Sequence, residues 1–193
     1  MKYLGHKSED EREQMLLEHL QGTSALCAEF AKAFNMTETG KLLGLYHDLG
    51  KYSAGFQKRI QKNGPKVDHS TAGAKFLGPY FVPLAFCIAG HHSGLMNKGV
   101  KGDIDNGTLI ARLSKNLTGQ LAYDAFKQEL PELSIDKNDI YLPSFTVLTS
   151  FLGAAAAALS ARSFSSFDSI QSAVRTAPSP RYAHVSSRTT LLC

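Results

Sequence analysis

The strongest constraint on the fold of this chain is the placement of its histidines. Histidines close three successive apolar segments, at His47, at His69 and at the pair His91-His92. A buried imidazole is costly without a polar partner, so the fold must give each ring a partner. One shared metal centre would satisfy all of them together.

The first of these histidines is followed at once by a carboxylate. His47 and Asp48 come directly after a short apolar helical run, and Gly50 permits a tight exit before Lys51. An imidazole and a carboxylate can bind the same ion, and the carboxylate can also bridge two ions. Mixed nitrogen and oxygen ligation favours Mn, Fe, Co, Ni or Zn over Mg. Taken alone, however, a His-Asp pair is more often a helix-terminal cap or a surface ion pair.

Apolar spacing predicts helices along most of the chain. No segment alternates with a period of two, so an all-α fold is expected. The first helix is predicted over residues 9–34 and places His19 beside its apolar stripe, where a half-buried histidine bonded to a backbone carbonyl is an equal alternative. Further helices are predicted to lead into His47, to surround Phe56 and Ile60, to begin near His69, to lead into His91 and to cover residues 108–130.

Basic residues follow the His-Asp pair. The chain has a formal net charge of +4, which permits a polyanionic partner without requiring one. A solvated helix face explains the local cluster, and a nucleic-acid contact is the functional alternative. Lys51 is either solvated or directed at a phosphate. The basic cluster consists of Lys58, Arg59, Lys62 and Lys66.

The composition changes after about residue 140. No lysine follows, and Asp168 is the only acid. We therefore predict one domain over residues 1–140, and an atypical late helix with a low-complexity, disordered tail over 141–193; a change of reading frame in the gene would produce the same shift. The uncharged stretch 140–161 contains proline and glycine, which favours a buried helix over a membrane span.

The remaining compositional signals predict a cytoplasmic location. The N-terminus has no apolar segment of the secretory type. The three cysteines, Cys27, Cys87 and Cys193, show no paired spacing and are predicted to be reduced thiols, two of them in the core.

Four sequence blocks together resemble a known family. In order they are LLEHLQGTSALCAEFA, LYHDLGKYSAGFQ, VDHSTAGA and IAGHHSGL. They are similar to the HD nuclease domain of the type I CRISPR-associated helicase-nuclease, a branch of the HD phosphohydrolase superfamily. The HD and GK residues fit the whole superfamily, whereas the Phe56-Gln57 pair and the last two blocks indicate this branch.

The resemblance implies an all-helical bundle with a dinuclear metal site that cuts single-stranded DNA during CRISPR interference. It implies two divalent ions, of Mn, Fe, Co or Ni with Mg as an alternative, and a helicase subunit or domain and the CRISPR surveillance complex as partners. Asp48 would be the bridging, catalytic carboxylate and Lys51 a supporting or phosphate-facing catalytic group. The implied metal ligands are His19, His47, Asp48, His69, His91 and His92.

The chain departs from this family in its later part. The usual late aspartate is missing from the corresponding stretch, residues 145–161, and the helicase motor is absent. By resemblance the missing carboxylate belongs with His19 and His47. Two alternatives therefore stay open: an HD-type nucleotide phosphohydrolase, and a catalytically impaired metal-binding interaction domain.

Overall fold

The computed structural model describes residues 2–104 and 107–130. This part of the chain is mainly helical, which confirms the all-α class, although a short antiparallel hairpin precedes the helices. The hairpin strands are β1 (Leu4–Lys7) and β2 (Glu13–Met15). The helices are α1 (Leu16–Lys32), α2 (Thr37–Tyr46), α3 (Ala54–Lys62), α4 (Ser70–Leu77), α5 (Val82–Gly90) and α6 (Leu109–Ser114), with 3₁₀ turns at Leu49–Tyr52, Gly119–Leu121 and Asp124–Gln128.

The prediction of a helix over residues 9–34 is wrong at its start. Helix α1 begins only at Leu16, because the preceding residues form the hairpin. Glu11 adopts a left-handed conformation with φ of 66°. The Asp10 carboxylate accepts a hydrogen bond of 2.7 Å from Nε of Arg12. The acidic residues that resemble a helix N-terminus therefore stabilise the hairpin turn instead.

One side chain attaches the hairpin to the rest of the fold. The carboxamide of Gln57, in α3, accepts a hydrogen bond from the backbone N–H of Leu4 and donates one to its carbonyl, both at 3.0 Å. The same amide nitrogen donates to the Lys51 carbonyl at 2.7 Å. Gln57 therefore takes the place of a neighbouring strand for β1.

The core lies between α1, α2, α4 and α5. Leu16 and Leu20 of α1 are fully buried with Leu43 of α2, and α5 contributes a continuous apolar segment. Cys27 and Cys87 are buried and form no disulfide, as predicted, whereas Cys193 is outside the described residues. This packing brings the ends of α2 and α5 and the beginning of α4 to one side of the bundle.

The single helical segment predicted over residues 108–130 is wrong. Helix α6 ends at Ser114, because Lys115 and Thr118 adopt extended conformations and Gly119 has φ of +58°. Two short 3₁₀ turns follow. Leu113 and Leu117 still pack against the core, so the helical spacing of the leucines reflects core contacts made by an irregular chain.

Several predictions fall outside the described residues. They are the late helix over residues 145–161, the tail over 141–193 and the position of Asp168. Within the described ranges, no helix is both long enough and apolar enough to cross a membrane.

Candidate metal centre

The predicted ligands come from four separate elements and meet around one carboxylate. His19 lies in α1, His47 follows α2, His69 precedes α4, and His91 begins the pair that follows α5. Asp48 lies among them and is 2% exposed. Residues far apart in the sequence therefore form one buried cluster.

Two glycines allow the necessary close approach between the segment that follows α2 and the start of α4. A Cβ atom on Gly50 would overlap the backbone of His69, and a Cβ atom on Gly73 would overlap the carbonyls of Tyr46 and His47. The absence of side chains at both positions lets His69 come beside the His-Asp pair.

The two oxygens of Asp48 face two different groups of histidines. Oδ2 lies 3.0 Å from Nε2 of His19 and 3.0 Å from Nε2 of His47. Oδ1 lies 3.5 Å from Nε2 of His69 and 3.4 Å from Nε2 of His91. We call His19, His47 and Asp48 the His19 half-site, since their ligand atoms lie within 4.8 Å of one another.

The second group also includes the last histidine of the pair. Nε2 of His92 lies 2.8 Å from Nε2 of His69. Asp48, His69, His91 and His92 satisfy the same 4.8 Å limit, and we call them the His91 half-site. The two half-sites share only Asp48, which is the arrangement expected of a bridging carboxylate.

Hydrogen bonds to backbone carbonyls determine which nitrogen carries the proton in three of the imidazole rings. A carbonyl can only accept a hydrogen bond, so each of these imidazoles carries its proton on Nδ1 and presents the lone pair of Nε2 to the centre. At metal sites, a hydrogen bond from the ring nitrogen that does not bind the metal orients the histidine in this way. The pairs are His47 with Gly44 at 2.8 Å, His69 with Val67 at 3.4 Å and His91 with Ile88 at 2.6 Å.

Burial favours the neutral form of four of these histidines, because it lowers their pKa values. It lowers the pKa of His19 to about 3 and the pKa values of His69 and His92 to about 4, and it also lowers the pKa of His47. Burial alone would raise the pKa of Asp48, but the Lys51 ammonium and the hydrogen bond with His19 hold that pKa well below its usual range. The centre therefore combines neutral imidazoles with an ionised carboxylate.

The unpaired atoms at this centre fit a metal. His19 Nδ1, Asp48 Oδ1 and His91 Nε2 are buried side-chain atoms that have no hydrogen-bond partner among the described residues. The last two are both acceptors and lie 3.4 Å apart. A divalent cation between the two atoms would satisfy both of them. Imidazole nitrogen with carboxylate oxygen is a donor set that suits divalent transition metals.

Lys51 is buried beside the same carboxylate rather than solvated. Its Nζ atom lies 2.8 Å from Asp48 Oδ2, donates to the Gly5 carbonyl at 3.0 Å and lies 3.3 Å from Nε2 of His6. The His6 ring also packs edge-on against His19, with centroids 4.6 Å apart. Sequence reasoning gave His6 no role; the one available signal was that it is another histidine in a chain with seven.

A groove of about 680 Å³ opens onto this centre. Its floor includes Lys51 together with His69 and His92. One wall is the hairpin, from Gly5 to Glu11, and the other is α3 with the turn that follows it. A substrate in this groove would reach the histidines from the solvent side.

The four predicted nucleic-acid contacts are distributed unequally. Arg59 is half-buried and lines the groove. Lys58, Lys62 and Lys66 are exposed, and none of the three is part of its lining. The hairpin brings Glu9 and Glu11 to the opposite wall, where Glu11 forms an ion pair of 2.5 Å with Lys7.

A helical bundle that gathers neutral histidines around a buried aspartate defines a metal-dependent hydrolase domain of the HD type. The HD domain family model matches residues 16–140, and the chain belongs to this family. No curated protein matches the chain. Membership supports divalent metal binding and phosphohydrolase chemistry, and both metal half-sites lie within the matched residues.

Proposed function

We propose that this protein is a metal-dependent nuclease that hydrolyses phosphodiester bonds in single-stranded DNA. The proposal rests on Asp48, whose two carboxylate oxygens face two different groups of histidines. Such a carboxylate suits a pair of ions, and paired ions are common in enzymes that cleave phosphate esters. The residues that bind the ions directly would be those of the His19 and His91 half-sites, with Mn, Fe, Co or Ni as the preferred metals.

The residues of the centre have different roles in the proposed reaction. Bound at the two half-sites, divalent ions supply Lewis-acid chemistry, since they polarise a phosphate ester and lower the pKa of a water molecule. Asp48 holds both half-sites in register. Lys51, which is 3% exposed, neutralises that carboxylate and ties it to the hairpin, which makes a supporting role more suitable than direct phosphate binding.

The groove supports a polymer as the substrate. It extends between the hairpin and α3 rather than enclosing a small cavity, and Arg59 places a guanidinium on its wall. The four sequence blocks add the resemblance to the type I CRISPR nuclease, which favours single-stranded DNA. By the same resemblance we propose a helicase subunit and the CRISPR surveillance complex as partners, and a cytoplasmic location.

A nucleotide phosphohydrolase is the second candidate. Glu9 adds negative charge to the groove wall opposite Arg59, whereas Glu11 is paired with Lys7, which also lines the groove. Because a long polyanion would be repelled there, this charge favours a shorter substrate. The third alternative, an impaired metal-binding domain, depends on the late aspartate that the sequence lacks.

One experiment separates these candidates. Metal-free protein is loaded with Mn²⁺, Co²⁺ or Ni²⁺, its metal content is measured, and it is offered end-labelled single-stranded DNA, duplex DNA and free nucleotides. Cleavage of single-stranded DNA that disappears in Asp48→Asn supports the nuclease. Hydrolysis of nucleotides alone would indicate the phosphohydrolase. Two bound ions without any hydrolysis would indicate a metal-binding domain that lacks catalytic activity.

A further inference from the structure

Helix α6 lies beside the His91 half-site although it contributes no ligand to it. It packs against both α4 and α5, the two helices whose ends carry His69, His91 and His92. Sequence reasoning gave this helix no function. One of its side chains, that of Arg112, is directed at the segments that hold those ligands.

Arg112 of α6 joins the two segments through a single nitrogen. Nη1 donates to the Ala89 carbonyl at 2.7 Å and to Oγ of Ser70 at 3.2 Å. Ala89 is two residues before His91, and Ser70 directly follows His69. The two hydrogens of one guanidinium nitrogen therefore connect the end of α5 to the beginning of α4.

The contact with Ala89 occurs where a helix needs a partner. The last carbonyls of α5 have no acceptor role inside the helix, and a cation close to a helix C-terminus is favourable. The Ala89 carbonyl receives both the hydrogen bond and the charge from Arg112. This interaction fixes the exit of the chain from α5, which determines the direction of His91.

A second basic residue holds the opposite side of His69. Lys115, directly after α6, forms an ion pair with Asp68. Asp68 in turn accepts hydrogen bonds from Thr71, at 3.2 Å from the backbone N–H and 2.8 Å from the hydroxyl. The residues on both sides of His69 are thus attached to α6.

We propose that Arg112 is a positioning residue for the His91 half-site, acting through Ser70 and Ala89. The inference rests on the proposed metal centre. It implies that loss of Arg112 loosens the ion held by His69, His91 and His92 and leaves the ion of the His19 half-site in place. Substitution of a residue that holds a metal ligand in place typically lowers the metal affinity about 10–100-fold.

The test is a Co²⁺ titration of the full-length, metal-free chain. Visible absorption and equilibrium dialysis follow the two binding events in the wild type, Arg112→Met and Arg112→Lys. We expect one event to weaken at least about tenfold in Arg112→Met and the other to stay within about twofold. The same event should be lost in His91→Ala. Arg112→Lys, which keeps a cation with several hydrogens, should restore part of the affinity.

Controls separate this inference from the proposed function and from general instability. Arg12→Met removes an exposed arginine on the hairpin turn and should leave both events unchanged. If the wild type binds no Co²⁺, the proposed metal centre itself fails. If the wild type binds two ions and Arg112→Met binds them equally well, or loses both equally, the positioning role is refuted. If Arg112→Met does not fold, Ser70→Ala, which removes one acceptor of the guanidinium, is titrated in its place, and equal binding at both half-sites would refute the positioning role.

Discussion

His91 Nε2 and Asp48 Oδ1 face each other across 3.4 Å, and neither atom has a hydrogen-bond partner among the described residues. The His91 proton is on Nδ1, where it is bonded to the Ile88 carbonyl. The opposed atoms are therefore both acceptors. A divalent cation held between the two atoms would satisfy both of them.

Replacing the shared carboxylate should remove both ions. We expect Asp48→Ala to abolish metal binding and hydrolysis while the helical circular dichroism signal stays largely intact. The buried Lys51 ammonium would lose its carboxylate, which should lower the free energy of unfolding of the metal-free protein by about 3 kcal/mol. Metal analysis, an activity assay and urea unfolding measure the three effects. Full activity in this variant would show that the central assignment is wrong.

The two ions should bind unequally. The His91 half-site has four protein ligands and the His19 half-site has three. The His91 half-site should therefore fill first, and the ion at His19 and His47 should be lost readily on dialysis. Hydrolysis should consequently require excess metal. Stepwise dialysis with metal analysis tests this order, and equally tight retention of two ions would contradict it.

The KM for single-stranded DNA should depend more on whether a basic residue lines the groove than on the total charge of α3. Arg59→Ala and Lys62→Ala remove one charge each from the same helix, but Arg59 alone of the two lines the groove. We expect Arg59→Ala to raise KM for single-stranded DNA and to reduce the slope of log KM against log salt by about one. Lys62→Ala is the matched control. Equal effects of the two variants would show that the strand does not follow the groove.

Gly73 should not tolerate a side chain. A Cβ atom there would overlap the carbonyls of Tyr46 and His47. We expect Gly73→Ala to lower the free energy of unfolding by about 1–3 kcal/mol and to weaken metal binding at the same time, because relief of the clash moves α4 and His69 away from Asp48. Thermal unfolding and metal titration measure the two effects. Unchanged values of both would refute this packing.

The sequence indicated which histidines come together, but it did not indicate the residues that hold this cluster in place. Histidines at the ends of apolar segments are visible in the sequence, because the cost of burying an imidazole applies wherever the chain goes. His6 and Arg112 were not recognised, because their roles depend on tertiary contacts with Lys51, Ser70 and Ala89 that local patterns do not encode.

The errors in secondary structure have similar physical causes. Residues 9–15 have the acidic composition of a helix start, but the carboxamide of Gln57 offers β1 a partner that no strand-pairing rule anticipates. After Ser114 the leucines keep a helical spacing, although Lys115 and Gly119 break the helix. In the first place a tertiary contact outweighs local propensity, and in the second the backbone conformation interrupts the helix although the leucines keep their spacing.

The attachment of the hairpin has a practical consequence for work with isolated fragments. The family match begins at Leu16, directly after β2. A protein started at that residue would keep every predicted ligand but lose the Gly5 carbonyl and His6, which contact the Lys51 ammonium. It would also expose the Gln57 carboxamide and remove one wall of the groove. A fragment that contains all six ligands could therefore be insoluble or inactive for reasons unrelated to metal chemistry.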